Sequence, residues 1–174
     1  MKKNIPEKEG LRKLPHFPTV VVGTGRSDDT NLITVALVHV FSFEPPYIGI
    51  GIAPSRHSFS LLRDNPEFTV NVPYSEDMDA VMGCGTVSGS DVNKFDEFDL
   101  TPQESTKIST SGIQEFPITM ECRVEKEIPV GDHVWFIGKV LSCSVPQSGV
   151  DRSDLVLYWA GEFRRPGEVL KTRS

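Results

Sequence analysis

The sequence contains few cysteines, histidines and tryptophans, and these shortages exclude several classes of protein. It has 3 cysteines, 4 histidines and 2 tryptophans in 174 residues. Cys84, Cys122 and Cys143 are odd in number and widely spaced, with no C-x-x-C pair and no histidine at ligand spacing. This pattern indicates neither a disulfide framework nor a zinc site. The cysteines are therefore predicted to be buried free thiols, and no metal site is predicted.

Positive charge and long apolar segments are also scarce. The formal net charge is −6, and only the mixed N-terminal segment from Lys2 to Lys13 gathers basic residues. Such a surface repels phosphate backbones, which argues against a nucleic-acid partner. The longest apolar runs, such as Val35 to Phe41, are far too short to cross a membrane, and no signal peptide follows Met1. The sequence therefore predicts a cytoplasmic protein with no membrane partner.

Length and composition favour a single domain. The apolar fraction is 38% and the charged fraction 24%, as is usual for a globular protein. One domain over residues 1–174 is predicted, with residues 1–14 as a loose N-terminal arm. About six or seven strands and two or three short helices are predicted without regular β–α–β alternation, which favours a mostly β, antiparallel barrel with peripheral helices.

The segment from Asn31 to Ser58 carries the strongest patterns. Ile33 to Phe41 is an almost continuous apolar run, which is typical of a strand covered on both faces. Phe43-Glu44-Pro45-Pro46 ends this strand, because proline lacks the N–H that strand pairing requires. From Tyr47 to Ala53, isoleucines alternate with glycines, and the glycines leave one strand face smooth. A packed helix, a partner subunit or a planar ligand would each fit against that face.

Gly23-Thr24-Gly25 resembles the start of a dinucleotide-binding fingerprint but lacks its context. Asp28 stands at the third glycine position, and a second β-rich run follows in place of a helix. The segment from Gly23 to Thr30 is therefore predicted to be a polar hairpin loop.

The later elements are predicted from the same kinds of pattern. A helix from Ser75 to Met82 is expected, with Ser75 as its N-cap, followed by a loop of small residues from Gly83 to Ser90. Two long β runs, Ile118 to Ile128 and His133 to Val145, are joined by a turn over residues 129–132. An aromatic strand from Leu155 to Phe163 closes the chain.

The helix predicted from Ser55 to Asn65 begins with cations, which the helix dipole disfavours in the first turn. Arg56 and His57 occupy that turn, between the hydroxyls of Ser55 and Ser58. Together with the free N–H groups of the helix start, these side chains would all donate to an anion such as a phosphate. The other interpretation is a surface arginine that pairs with an acid elsewhere.

Asn31 and Thr34 form a second polar cluster, at the start of a strand. Both side chains could donate to a phosphate or to the polar edge of a ring ligand. Both are equally typical of ordinary turns. Their spacing alone does not separate these two interpretations.

Seven segments, taken in order, resemble the flavin reductase-like (flavoredoxin) family, and the resemblance extends from residue 14 to residue 168. It implies an FMN-binding split β-barrel with antiparallel, Greek-key-like strands, and a homodimer with FMN near the subunit interface. The segments are Asn31-Leu32-Ile33-Thr34, Phe43-Glu44-Pro45-Pro46, Ser55-Arg56-His57-Ser58, Phe68-Thr69-Val70-Asn71-Val72-Pro73, Cys84 to Phe95, Gly131 to Val140 and Leu157 to Phe163.

The resemblance also implies which residues bind the cofactor. One strand would line the flavin ring or its phosphate side, through Asn31, Ile33 and Thr34. The helix start would hold the phosphate, through Ser55, Arg56, His57 and Ser58. Backbone groups would come from Val87, Ser88 and Gly89, while Lys94 and Phe95 would lie near the flavin of the same or the partner subunit. His133 matches a position near the nicotinamide site of related reductases, although a lone histidine is equally typical of a turn.

The function implied is an NAD(P)H-dependent flavin oxidoreductase that passes electrons through FMN to an acceptor. FMN is then the cofactor and NAD(P)H the electron donor, and the acceptor could be a protein redox partner. One alternative is a flavoredoxin-type FMN electron carrier without its own NAD(P)H site. Another is a non-catalytic split barrel that binds flavin or haem.

Overall fold

The computed structural model describes residues 2–15 and 17–172, so Met1, His16 and the last two residues lie outside the description. The chain forms four helices and twelve strands among the described residues. In chain order they are α1 (Glu7–Leu11), β1 (Phe17–Pro18), β2 (Val20–Thr24), β3 (Asn31–Val35), β4 (Val38–Phe43), β5 (Pro46–Ile52), α2 (His57–Asp64), β6 (Glu67–Val72), α3 (Met78–Thr86), α4 (Lys94–Glu97), β7 (Pro102–Gln103), β8 (Gly112–Ile113), β9 (Ile118–Val130), β10 (His133–Ser144), β11 (Leu157–Trp159) and β12 (Glu162–Arg164).

Seven strands build one antiparallel sheet in the order β3-β2-β6-β9-β10-β5-β4. The prediction of a mostly β, antiparallel fold with short helices is therefore confirmed. β9 and β10 form the longest pair, and their register shifts between Ile137 and Gly138 and again between Val140 and Ser142. Such irregularities bend a strand pair and increase its twist, which helps the sheet curl around its core. Two small sheets, β1-β11-β12 and β7-β8, complete the fold.

Two hydrophobic clusters pack on opposite faces of the β2–β3 region. The main cluster includes alternate residues of the central strands, among them Val20, Ile50, Phe68 and Phe136, all at most 2% exposed. Residues with the opposite phase, such as Val21 and Leu32, point to the second cluster, where the helices α3 and α4 cover the sheet. β3 is thus buried on both faces, and it holds the two helices in place.

The predicted strand from Ile33 to Phe41 is wrong as a single element. The chain breaks at residues 36–37, and its two halves, β3 and β4, become opposite edges of the large sheet. Phe41 and Leu37 fold over the glycines of β5. A Cβ on Gly49 would lie 2.3 Å from the Phe41 ring, and one on Gly51 would lie 3.0 Å from Leu37 Cβ. The smooth face of β5 is therefore filled by the chain's own side chains.

The helix α3 starts later and ends later than predicted. Ser75 begins a 3₁₀ turn, and Asp77 accepts a hydrogen bond from the Tyr74 N–H at 2.8 Å. Residues 83–86, predicted as a loop, are the last turn of α3. Gly83 is needed there because a Cβ would lie 2.2 Å from the Phe98 ring. This glycine marks close packing and not a chain break.

The cysteine prediction is correct for two of the three thiols. Cys84 and Cys122 are buried and free, whereas Cys143 is free but exposed. Burial raises the pKa of Cys84 to about 11, although the nearby Lys94 opposes the rise. Cys84 is therefore an unreactive packing residue at neutral pH.

Asp77 should make the protein less stable as the pH rises towards neutrality. Burial raises its pKa to about 6, and the carboxylates of Glu76, Glu115 and Asp154 add to the rise, while the Tyr74 N–H opposes it. Between the unfolded and folded pKa values the native state holds more protons, so stability falls as pH increases from about 4 to about 7. Asp77→Asn should remove this slope and stabilise the protein at pH 7 by about 1 kcal/mol, allowing for solvent screening.

Urea denaturation at several pH values measures the effect. Asp79→Asn is the matched control, since Asp79 is an exposed acid in the first turn of α3. If the free energy of unfolding changes with pH in the same way in Asp77→Asn and in the wild type, Asp77 is not the source of the slope.

Candidate functional site

Two neighbouring cavities border β3 and the start of α2. The larger, here called the cleft, has a volume of about 910 Å³ and is lined by Asn31, His57, Gly89, Lys94 and Phe95, among others. The smaller, here called the pocket, has a volume of about 310 Å³. It is lined by Ile33, Thr34, Val35, Ala36, Leu37, Gly51, Ile52, Ala53, Ser55, Arg56 and His133. The fold therefore places most of the predicted site residues around two adjoining openings.

The pocket has a mixed apolar and polar lining that includes one guanidinium. Ile33, Leu37 and Ala53 contribute the apolar part, and Arg56 and His133 contribute the polar part. This combination suits a flat ring system that carries an anionic group.

The helix predicted from Ser55 to Asn65 is present as α2, but it begins at His57, so Ser55 lies before it. Arg56 is its N-cap in an extended conformation, and no side chain caps the helix. The Arg56 side chain is exposed, and among residues 2–15 and 17–172 no carboxylate lies within ion-pair distance of it. The interpretation of Arg56 as one half of a surface ion pair therefore fails, and an uncapped helix start remains beside an unpaired guanidinium.

Lys94 is a buried cation without a counter-ion in the described part of the chain. It is 4% exposed, and its Nζ donates to the carbonyls of Leu32 at 2.7 Å and Cys84 at 2.8 Å. Its third N–H has no acceptor among the described residues. Burial lowers the pKa of Lys94, Cys84 opposes this, and Arg56 lowers it further. A bound anion would compensate for a charge that the protein leaves unpaired.

Asn31 and Ser58 form a buried pair between β3 and α2. Asn31 Nδ2 donates to Ser58 Oγ at 2.7 Å, and the two residues are 8% and 1% exposed. Ser58 lines neither cavity, so its hydroxyl orients Asn31. Asn31 Oδ1 is buried without a hydrogen-bond partner in the described structure. This oxygen faces the Gly89 backbone and is a buried acceptor that the described residues leave unsatisfied.

Gly89 holds the loop after α3 against Asn31. A Cβ at this position would lie 1.7 Å from Asn31 Oδ1, so only glycine allows the approach. Val87 ends α3 as its C-cap, and its N–H donates to Gly83 O at 3.0 Å. Neither Val87 nor Ser88 lines the cleft or the pocket, whereas Gly89 lines the cleft.

The side chains of Thr34 and Phe95 make contacts within the protein. The Thr34 hydroxyl donates to Val81 O and so fastens α3 to β3. The Phe95 ring is 5% exposed and belongs to the second hydrophobic cluster. These two residues position the helices beside the site, which leaves their backbones as the parts able to face a ligand.

His133 lies at the pocket, at the start of β10. Its Nδ1 is 2.7 Å from Asp132 Oδ1, and this contact lowers the pKa of Asp132. With Nδ1 held by Asp132, the other ring nitrogen, Nε2, is the one left to meet a ligand.

The folded chain adds one feature that the sequence patterns do not predict, the acidic wall of the cleft. Five carboxylates line the opening beside Lys94 and His57: Asp28, Asp29, Asp91, Asp96 and Glu104. The adjacent pair Asp28-Asp29 is a visible signal, but such a pair is equally typical of a hairpin loop. In the described residues no group of histidines, cysteines and acids is arranged to hold a metal ion, and no helix is long and apolar enough to span a membrane.

Comparison with known sequences gives a family match over most of the chain. The model of the family described as Flavin reductase like domain matches residues 11–167. An uncharacterized protein of Pyrococcus abyssi is 34% identical over 134 residues, which is 77% of each chain. An uncharacterized protein of Archaeoglobus fulgidus is 40% identical over 111 residues, covering 64% of this chain and 63% of that protein, a little under two thirds of its length.

The solved structures include proteins of the same architecture. The flavoredoxin of Desulfovibrio vulgaris (Miyazaki F) superposes with a TM-score of 0.87 at 25% sequence identity, covering 99% of this chain and 97% of that one. The similarity extends over the whole described fold, including the strands and helices that border the cleft and the pocket.

Proposed function

Since the chain belongs to the flavin reductase-like family, whose members share a split β-barrel, we propose that it is an FMN-binding oxidoreductase that takes electrons from NAD(P)H. Lys94 is the observation that carries the proposal. Together with Arg56 and the uncapped start of α2, this buried and unpaired cation forms a set of donors suited to a phosphate. The name anion anchor is used below for Arg56, His57 and Lys94.

We assign FMN one orientation across the two cavities. The ring would occupy the pocket, between the Ile33–Thr34 backbone and Ala53, with Ser55 at its rim. The phosphate would meet the anion anchor, where Ser58 acts indirectly by orienting Asn31. The loop from Val87 to Gly89 would cover the phosphate end, and the α4 backbone at Phe95 would border it.

FMN, when bound, supplies the hydride and electron chemistry. The protein's part is to hold the ring, to neutralise the phosphate and to orient the electron donor. We place His133 near the nicotinamide of NAD(P)H, because its Nε2 is free to hydrogen-bond while Asp132 fixes the ring.

An electron carrier without its own NAD(P)H site is the second candidate. The net charge of −6 favours it, because an acidic surface would assist docking to a basic redox partner. Rapid mixing of FMN-loaded protein with NADH and with NADPH separates the two functions. Bleaching of the flavin absorbance on a catalytic timescale is expected for the reductase. Failure of both nucleotides, with reduction by a partner reductase, would indicate the carrier, and reconstitution with haem but not FMN would indicate a non-catalytic barrel.

We also propose a homodimer that covers the edge strand β4. Its side chains Val40, Phe41 and Phe43 are 46%, 51% and 86% exposed, and Phe41 stacks edge-on against Trp135 at 5.7 Å. An exposed apolar edge of this kind is a pairing surface. Phe43→Glu should yield a monomer in light scattering, whereas Leu170→Glu, at a residue 88% exposed near the C-terminus, should not. A Phe43→Glu protein with the wild-type mass would contradict this interface.

Arg56→Ala should weaken FMN binding by about tenfold and leave the fold intact, because it removes one exposed charge-assisted contact to phosphate. Fluorescence titration of FMN measures the affinity, and thermal denaturation measures stability. Arg63→Ala is the matched control, since Arg63 lies on the same helix, pairs with Glu127 and lines neither cavity. An unchanged FMN affinity with a lower melting temperature would mean that Arg56 is structural.

A further inference from the structure

Glu121 is a buried carboxylate that lies outside the proposed FMN site. It belongs to β9, is 7% exposed, and lines neither the cleft nor the pocket. It forms no salt bridge within the part of the chain that the structure describes. A buried charge without a counter-ion is costly unless several hydrogen bonds stabilise it. The bonds that Glu121 accepts therefore show what it does.

All of these bonds come from one loop, residues 104–111, here called the clasp loop. Both carboxylate oxygens of Glu121 accept from the Thr106 N–H at 3.0 Å. Oε1 also accepts from the Thr106 hydroxyl at 3.1 Å, and Oε2 accepts from the Lys107 N–H at 2.6 Å. Hydrogen bonds to an ionised acceptor are about twice as strong as neutral ones. Glu121 therefore fastens the middle of the clasp loop to the large sheet.

The end of the clasp loop holds two other elements together. The Thr110 hydroxyl donates to Gly25 O at 2.6 Å, and the Ser111 N–H donates to Thr30 Oγ1 at 3.1 Å. Both bonds reach the loop between β2 and β3. Asn65, the C-cap of α2, donates from Nδ2 to Thr110 Oγ1 at 3.2 Å. The clasp loop thus connects the chain that leads into β3 with the end of α2.

These two elements position the anion anchor. α2 carries His57 at its start and Arg56 as its N-cap. β3 begins at Asn31, and its next residue, Leu32, accepts from Lys94 Nζ at 2.7 Å. The spacing of the three cations therefore depends on how β3 and α2 are held against each other.

We propose that Glu121 is a positioning residue for the phosphate of FMN, which acts by fastening the clasp loop and so fixing β3 and α2 around the anion anchor. A carboxylate suits this task because N–H groups of two consecutive residues need an acceptor oxygen each. Glutamine has the same shape but only one acceptor oxygen, so its amide NH₂ would face an N–H of the loop. Glu121→Gln should therefore loosen the clasp loop without leaving a cavity.

This inference rests on the proposed function, and its test separates the two. The apoproteins of the wild type and Glu121→Gln are titrated with FMN and with riboflavin, which lacks the phosphate, by fluorescence. The advantage of FMN over riboflavin should fall by about tenfold in Glu121→Gln, because displaced donors bind phosphate less well. A general loss of stability would not change this ratio. Hydrogen exchange should also become faster at the amides of Thr106 and Lys107.

Glu115→Gln is the matched control. The Glu115 carboxylate also accepts from a loop N–H, that of Thr101 at 3.0 Å, but it lines neither cavity. This variant should keep the wild-type advantage of FMN over riboflavin. A second variant, Thr106→Val, removes one donor to Glu121 at an exposed loop residue and so tests the clasp even if Glu121→Gln does not fold. It should lower the advantage by about threefold.

The outcomes separate the two proposals. An advantage of FMN that is unchanged in Glu121→Gln, or in Thr106→Val where Glu121→Gln does not fold, overturns the role of Glu121. An equal loss in Glu115→Gln also overturns it, because the effect would then not depend on the clasp loop. A wild-type protein that binds neither FMN nor riboflavin overturns the proposed function itself.

Discussion

Lys94→Met should weaken FMN binding by about a hundredfold while the protein remains folded. Lys94 is 4% exposed and its ammonium has no carboxylate partner among the described residues, so a phosphate is the group that would complete its hydrogen bonding. Loss of one partner from a buried, hydrogen-bonded charge pair costs about 2–5 kcal/mol, and a hundredfold change in affinity corresponds to about 2.7 kcal/mol. Fluorescence titration with FMN measures this change.

Measurements of stability show whether Lys94→Met affects only FMN binding or also the fold. Because burial lowers the pKa of Lys94 from 10.5, the unfolded state binds more protons between the folded and unfolded pKa values, and wild-type stability should rise with pH across that window. Lys94→Met should lack this rise and should be no less stable than the wild type at pH 7. The control is Lys139→Met, at a half-buried lysine outside both cavities. If Lys94→Met unfolds, the lysine is needed for the fold and the assignment to phosphate loses its support.

Gly89→Ala should reduce both stability and FMN affinity. The new Cβ would lie 1.7 Å from Asn31 Oδ1, so Asn31 or the loop must move. Overpacking of this kind costs about 1–3 kcal/mol. Displacement of Asn31 also breaks its bond to Ser58, so an FMN affinity lower by at least about tenfold is expected. Gly167→Ala is the control, because nothing lies within 4 Å of a Cβ there.

A double variant tests whether the effect acts through Asn31. Asn31→Ala/Gly89→Ala removes the clashing amide. Its loss of stability should therefore be smaller than the sum of the losses in the two single variants, while its FMN affinity should remain low. Denaturant unfolding of all four proteins gives the coupling. If the losses of stability in the two single variants add up to the loss in the double variant, Gly89 acts through some other contact.

Much of the fold can be predicted from local patterns. Alternating apolar residues locate the strands of the large sheet, and the helix predicted to end at Asn65 ends at Asp64. Two of the wrong predictions concern contacts between distant residues. The break at residues 36–37 and the extension of α3 through residue 86 depend on glycines that accept Leu37 and Phe98 from elsewhere in the chain. A local pattern cannot distinguish a glycine that bends the chain from one that permits close packing.

The residues of the candidate site also divide into those that local sequence patterns identify and those that only the folded chain brings together. Cations at the start of α2 conflict with the helix dipole, and this conflict is local, so the amino-acid sequence alone suffices to single out Arg56. The burial of Lys94 and the packing roles of Thr34 and Phe95 follow from the docking of α3 and α4 on β3, which the sequence does not display. The acidic wall is not predictable from local patterns, because Asp28, Asp91 and Glu104 meet only in the folded chain.

The central claim is that the anion anchor holds the phosphate of FMN. The most direct measurement compares the dissociation constants of FMN and riboflavin, which differ only in that phosphate, by fluorescence titration of the same apoprotein. If the anchor is correct, FMN binds at least about a hundredfold more tightly, and the advantage shrinks to about tenfold or less in Lys94→Met. Equal affinities for FMN and riboflavin in the wild type would contradict the account.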